Sequence, residues 1–213
     1  RNQGCFGGLD GIVSMNERYT QMLLEVGFPG QKLITLTPGQ TYDYFPLKKI
    51  KIGIVSRGGY TGLGHDFLEG FFKNHNTKNF EFYFLGGGWE PLLEIPEIVE
   101  NTNIYIETNE DYSYYPNFYN KIDYLLIPGM WTAGPMSMQE ALSTGVPVIG
   151  ANVGFVNYEF QADYVFEPGD ESGLDNILRS IENPVVARRS QVENMTWANH
   201  ADDLVQFAKR LRK

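Results

Sequence analysis

The sequence predicts an α/β fold built on a doubly wound parallel sheet, and three observations predict it. From Lys49 onward, short apolar runs alternate with helical patterns, the rhythm of parallel strands joined by crossover helices. The run KIKIGIVS (49–56) begins with alternation and ends fully apolar, as a strand entering a sheet covered on both faces would. In WTAGPMSMQEALSTGVPVIG (131–150), Pro135 marks a helix start and Gly145 its stop, directly before an apolar run; proline is pre-set for a first helical position and glycine for the residue after the last.

Taken in order, KIKIGIVS is the first strand of this sheet and HDFLEGFFKNH (65–75) the helix that follows. FEFYFLGGG (80–88) is the second strand, running into a loop at Gly86-Gly87-Gly88, and PLLEIPEIVEN (91–101) is a helix in spite of Pro96. NIYIET (103–108), YLLIPG (124–129), VPVIG (146–150) and DYVFEPG (163–169) supply four more strands. ESGLDNILRSIEN (171–183) is a helix, and residues from about 185 to 212 form one or two closing helices. Residues 1–46 read differently. GIVSMN, ERYTQMLLEVG and KLITLTPG make one strand–helix–strand unit, which has too little core to stand as a domain. This gives two parts: 1–46, the tail of a preceding domain or an extension packed on the main sheet, and 47–213, the sheet domain.

Composition narrows the function classes. The 213 residues carry a formal net charge of −9, a poor match to nucleic acid, whose phosphates call for clustered Lys and Arg. The basic group Lys209, Arg210, Arg212 and Lys213 complements the negative end of a terminal helix; contact with anionic lipid is the minor alternative. No apolar run approaches the ~20 residues of a membrane span. Cys5 is the single cysteine, which rules out an internal disulfide and fits a reducing, cytoplasmic setting. Arg1 is not a natural start, so an upstream segment is expected.

The chemistry-bearing positions cluster after strands. A helix that opens on Gly134-Pro135 presents unpaired backbone N–H groups and a positive dipole end, uncrowded by side chains, where an anion can sit; many such helix starts hold only water. Arg57 follows the first strand and precedes GGYTGLGHD. A permanent cation there suits a phosphate, and Gly58 and Gly59 let backbone approach it closely. The competing reading is a surface Arg in a mobile turn. The spacing matches neither the Walker loop nor the dinucleotide fingerprint. The apolar face of its helix is Met138, Ala141 and Leu142, and Glu140 points well away from Met138 and Leu142; it is either a solvated helical carboxylate or the acceptor of two ribose hydroxyls. His65, His75 and His200 form no metal-ligand pattern and no Cys/His cluster exists, so no metal is expected. No G-x-S-x-G elbow is present, so an α/β-hydrolase triad has no starting point. Tyr112, Tyr114, Tyr115, Phe118 and Tyr119 crowd one segment, as helix packing on the sheet or as a stacking surface.

GPMSMQEALSTGVPVIGANVGF, YVFEPGDESGLDNILRSI and MTWANHADDLVQF together resemble the carboxyl-terminal, Rossmann-like half of GT-B glycosyltransferases, with family 4 of the retaining enzymes the nearest type. The segment IVSMNERYTQMLLEVGFPGQKLITLTPGQTYDYFP resembles the end of that family's first domain and its crossover into the second. The resemblance implies a nucleotide-diphosphate sugar donor, no metal and no other cofactor, an acceptor that the sequence does not identify, and an amino-terminal domain missing from this chain. It places Arg57 on the diphosphate, Glu140 on the ribose, and the backbone from Gly134 through Pro135 and Met136 to Ser137 around the phosphates. Ile106 and Glu107 fall where backbone meets the base. Two positions depart from the family pattern: its first motif Glu falls at Thr132, beside the donor sugar, and the Lys that accompanies Arg57 falls near Leu63.

The function these readings favour is transfer of a hexosyl group from a nucleotide sugar to an acceptor, with retention at the anomeric carbon. A non-catalytic nucleotide-binding or scaffold module on the same fold is the alternative, and Thr132 and Leu63 are the residues that favour it. A sugar-nucleotide epimerase is a third and weaker option, since its acid and base residues have no candidates here.

Overall fold

The computed structural model describes residues 8–41, 45–108, 110–131, 134–154 and 156–212. Along the chain the elements are β1 (Ile12–Ser14), α1 (Glu17–Glu25), β2 (Leu33–Thr35), β3 (Ile50–Val55), α2 (His65–Asn74), β4 (Phe80–Leu85), α3 (Pro96–Asn101), β5 (Asn103–Glu107), α4 (Tyr115–Lys121), β6 (Tyr124–Ile127), α5 (Met136–Thr144), β7 (Val148–Ala151), β8 (Tyr164–Phe166), α6 (Glu171–Ser190) and α7 (Trp197–Leu211). Short 3₁₀ turns precede β2, α2, α3 and α4. Seven of the eight strands fall inside the runs read as strands, and β7 extends one residue past its run to Ala151.

The chain divides into two compact units, residues 48–184 and residues 1–47 with 185–213. The sheet unit therefore stops at Pro184, short of the 213 read from the sequence, and the last helix groups with the first 47 residues.

The larger unit is a six-stranded sheet in the order β5-β4-β3-β6-β7-β8, parallel at every pairing. Period-two alternation sorts β4 cleanly. Phe82 and Phe84 meet Phe72 of α2 on one face, at ring distances of 4.8 and 6.4 Å. Tyr83 and Leu85 face the other way, into a core with Phe118, Tyr119, Ile122, Met138 and Ala141. Each fully buried aromatic or aliphatic side chain contributes about 1.5–3 kcal/mol, so both faces are sealed by helices as a parallel sheet requires. Gly53 in β3 makes room for this: a Cβ there would stand 2.4 Å from Ile122 Cδ1.

Three boundaries differ from the sequence reading. The helix expected over 91–101 divides at Ile95, with a 3₁₀ turn at Glu90–Glu94 before it and α3 starting on Pro96; a proline has no N–H to continue the earlier turn and is at home in the first position of the next. Pro184, by contrast, does not end its helix, since α6 runs on to Ser190. Pro135 is the residue before α5, not its first, with φ −73° and ψ 107°, and Gly145 closes the helix at φ +76° as expected.

The smaller unit pairs β1 and β2 in parallel, with α1 capped by Asn16, whose side chain accepts from Tyr19 N–H. Phe207 of α7 is buried, and Gly11 lies against Phe207 and Leu211 so closely that a Cβ would meet them at 3.0 and 2.5 Å. Arg210, from the basic group at the chain's end, donates to the Leu33 carbonyl at 3.3 Å and covers the Phe207 ring. Among the described residues no helix is long and apolar enough to cross a membrane.

Candidate functional site

The sheet's strand order reverses at β3: the chain leaves it toward β4 and β5, then returns to its other side at β6. Helices diverge at such a point, and a crevice is left beyond the carboxyl ends of the strands. Here it is a cavity of about 610 Å³. The ends of β3, β4 and β6 form its floor through Val55, Ser56, Leu85, Leu126 and Ile127; the start of α5 forms one wall, and Tyr112 and Tyr115 another.

Arg57, Gly134, Pro135, Met136, Ser137 and Glu140 all line this one cavity. Arg57 stands at the exit of β3 and is exposed; it has no ion-pair partner among the described residues. The turn that carries it is held from behind. Trp89, fully buried, donates its indole N–H to the Ser56 carbonyl at 2.9 Å. Gly58 N–H donates to Gly87 O at 2.9 Å, and any Cβ on Gly58 would lie 2.2 Å from Gly88 O. Gly58 and Gly59 thus shape the turn without lining the cavity. The α5 start offers backbone N–H groups at the mouth, and among the described residues the buried Ser56 Oγ has no hydrogen-bond partner.

Glu140 is half-buried, and both its oxygens accept from tyrosines: Oε1 from Tyr112 at 2.9 Å and Oε2 from Tyr119 at 2.7 Å. The phenol of Tyr119 is pushed above its ordinary range, first by burial and then by its bond to Glu140. That of Tyr112 is raised mainly by the same hydrogen bond. Deprotonating either would place two negative charges in contact, so both remain donors at neutral pH. Leu142, read as part of the apolar face with Met138 and Ala141, is instead exposed.

Ile106 and Glu107 are not at this cavity. They pair in register with Phe84 and Leu85 near the end of the edge strand β5. The Glu107 carbonyl accepts from Gly86 N–H at 2.9 Å, and its carboxylate accepts from Tyr114 at 2.8 Å and pairs with Lys121. Leu63 does line the cavity. His65 does not: it is buried, stacked on Trp89 at 5.3 Å between centroids, and among the described residues Arg57 is the one Lys, Arg or His in the cavity's lining. Thr132, like Cys5 and Lys213, lies outside the described residues. Among the described residues no cluster of His, Cys, Asp and Glu could hold a metal ion.

Sequence reasoning missed three contributors: Ser56, Tyr112 and Tyr119. For the tyrosines a signal existed. In YSYYPNFY (112–119), a hydroxyl on an aromatic turned toward a core needs a partner, and the nearby Glu140 is one. Of the two expected roles, the packing one holds for Phe118 and Tyr119, which lie in the core, while Tyr112 is open on the cavity.

The geometry belongs to a known class of fold. Solved structures similar to this chain include the lipopolysaccharide outer core galactosyltransferase WaaB (14% identical, TM-score 0.51, covering 96% of this chain and 63% of that one). Others are the sucrose-phosphate synthase of Thermosynechococcus elongatus (17%, 0.55, 98% and 60%) and HepE of Anabaena in complex with UDP and glucose (12%, 0.52, 94% and 63%). The chain thus has the Rossmann-like α/β architecture of GT-B glycosyltransferases. In sequence it is 26% identical over 154 residues to protein CapJ of Staphylococcus aureus, covering 68% of this chain and 39% of CapJ. It spans about two-fifths of that relative's length. No protein-family model matches the chain.

Proposed function

We propose that the cavity binds the nucleoside diphosphate of a sugar donor, and that the chain is the donor-binding part of a glycosyltransferase. One observation carries the reading: a free cation, a helix start and a carboxylate converge on one cavity at the switch point of the sheet. They offer what such a ligand needs. Arg57 and the N–H groups at the α5 start stabilise the diphosphate, and Glu140 accepts from the two ribose hydroxyls. Similar structures solved with UDP and with UDP-glucose support it.

In the reaction so proposed, the bond between the anomeric carbon and the diphosphate oxygen breaks. The electron pair leaves on the diphosphate, where Arg57 and the helix dipole stabilise it, and the acceptor oxygen bonds to the anomeric carbon as its proton passes to the departing diphosphate oxygen. The cation and dipole do this without a metal. Retention, a hexosyl sugar, a cytoplasmic setting, and an amino-terminal domain that supplies the acceptor contacts are further parts of the proposal.

The second reading, a non-catalytic nucleotide-binding module, draws on Leu63. An aliphatic side chain lines the cavity where the family carries a lysine, and a missing cation beside a diphosphate weakens binding by about 1–3 kcal/mol. Calorimetric titration with UDP, GDP and ADP, first without metal and then with Mg²⁺, tests the common element. Saturable metal-independent binding of one nucleotide, lost in Arg57→Ala, supports the donor site; no binding up to millimolar overturns it. Turnover by the full-length protein with donor and acceptor then separates the enzyme from the module.

A further inference from the structure

The two tyrosines on Glu140 are not equivalent. Tyr119 is 1% exposed, packed in the core of the sheet unit, and its hydroxyl also reaches the Ser137 carbonyl at 3.3 Å. It fixes the carboxylate from inside. Tyr112 is 67% exposed, on a three-residue 3₁₀ turn, and its ring touches Tyr115 at 4.8 Å. It reaches Glu140 from the ligand's side.

Tyr112 also stands between two spaces. It lines the 610 Å³ cavity and, with Tyr115, Met136 and Glu140, a second cavity of about 350 Å³ beside α4 and α5. Tyr112 and Glu140, joined by their hydrogen bond, line both spaces.

We propose that Tyr112 is a displaceable self-ligand of Glu140: its hydroxyl occupies the carboxylate face that a vicinal diol would use, and binding of the diol turns the ring aside. Tyr112 thus tempers the site's preference for a vicinal diol, because the diol must displace the ring and bears that cost. A ligand with one hydroxyl can bond to Glu140 with the ring in place and bears little of it. This rests on the nucleotide reading above. A phenol-to-carboxylate bond at an exposed position favours the closed arrangement by roughly 3- to 10-fold, which lowers apparent affinity by the fraction of open protein, roughly 4- to 11-fold.

The experiment is calorimetry on wild type, Tyr112→Phe and Tyr119→Phe with UDP, GDP, ADP and their 2′-deoxy counterparts. Tyr112→Phe keeps the exposed ring and removes only the competing hydroxyl. It is expected to bind its ribonucleotide roughly 4- to 11-fold more tightly, with a much smaller gain for the deoxy form. Tyr119→Phe is expected to bind less tightly, because the carboxylate loses its inner support. If wild type binds a nucleotide and Tyr112→Phe binds it no better, or gains equally for both sugars, the self-ligand is overturned and the nucleotide site stands. If neither protein binds any nucleotide, the site and the self-ligand fall together.

Discussion

Glu140 and Glu107 make an instructive pair. Both are half-buried, both belong to the sheet unit, and both accept a hydrogen bond from a tyrosine of the same short segment. Glu107 is also paired with Lys121, whose ammonium lies 4.3 Å from the centre of the Tyr83 ring. Its charge is neutralised within the protein and its main-chain carbonyl is taken by Gly86. Glu140 has phenols alone on its oxygens and lines a cavity. The difference teaches that a carboxylate's partners decide whether it is a structural tie or a ligand site. A lysine satisfies the charge; a phenol satisfies geometry and leaves the charge for something else to use.

Four measurements test that contrast. The largest effect is expected on the cavity side, where Arg57→Ala should weaken nucleotide binding by roughly 10- to 150-fold, the equivalent of losing about 1.4–3 kcal/mol of charge-assisted hydrogen bonding. Calorimetry reads it directly, and an unchanged affinity would take Arg57 out of the site. Glu140→Gln comes next. It keeps the shape and removes the charge, so it should cost roughly 5- to 30-fold in affinity and erase the preference for ribose over deoxyribose.

On the other side, Lys121→Met leaves Glu107 with Tyr114 as its side-chain partner among the described residues. It should destabilise the fold by about 1–2 kcal/mol, between the values for exposed and buried pairs, with nucleotide affinity unchanged. Adding Glu107→Leu to it should restore part of that stability. A Lys121→Met protein that melts like wild type but binds nucleotide poorly would reverse the assignment of the two glutamates.

The smallest effect is a pH dependence near the same lysine. Burial, then the hydrogen bond to Glu81, push the Tyr83 phenol up to about 12. An unfolded tyrosine ionises near 10, so between about pH 10 and 12 the unfolded chain releases a proton that the folded one keeps. The unfolded state then binds fewer protons, and stability falls as pH rises through that window. The contribution is fully present below pH 10. Melting curves at pH 9 and pH 11 should diverge more for wild type than for Tyr83→Phe, and parallel shifts would show that Tyr83 does not titrate there.

Much of this was legible in the chain itself. Strand runs such as KIKIGIVS and FEFYFL announce themselves, because a parallel strand covered on both faces is a near-continuous apolar run, interrupted here by Lys49, Lys51 and Glu81. The sequence therefore determined the elements, their alternation, the parallel sheet, and the convergence expected of Arg57, Gly134 and Glu140 at strand ends. It could not show that Glu107, read at a strand end, is tied to Lys121 within the protein, while Glu140, read on a helix, lines the cavity. Nor could it place His65, which stacks on Trp89, or Leu142, which turns outward. Those outcomes depend on which side chains from distant segments meet. Lys121 reaches Glu107 across 14 residues, and Tyr112 reaches Glu140 across 28. Local pattern sets an element; the partners of a charge are set only when the sheet brings remote elements within hydrogen-bond distance, and that was decided by the tertiary structure.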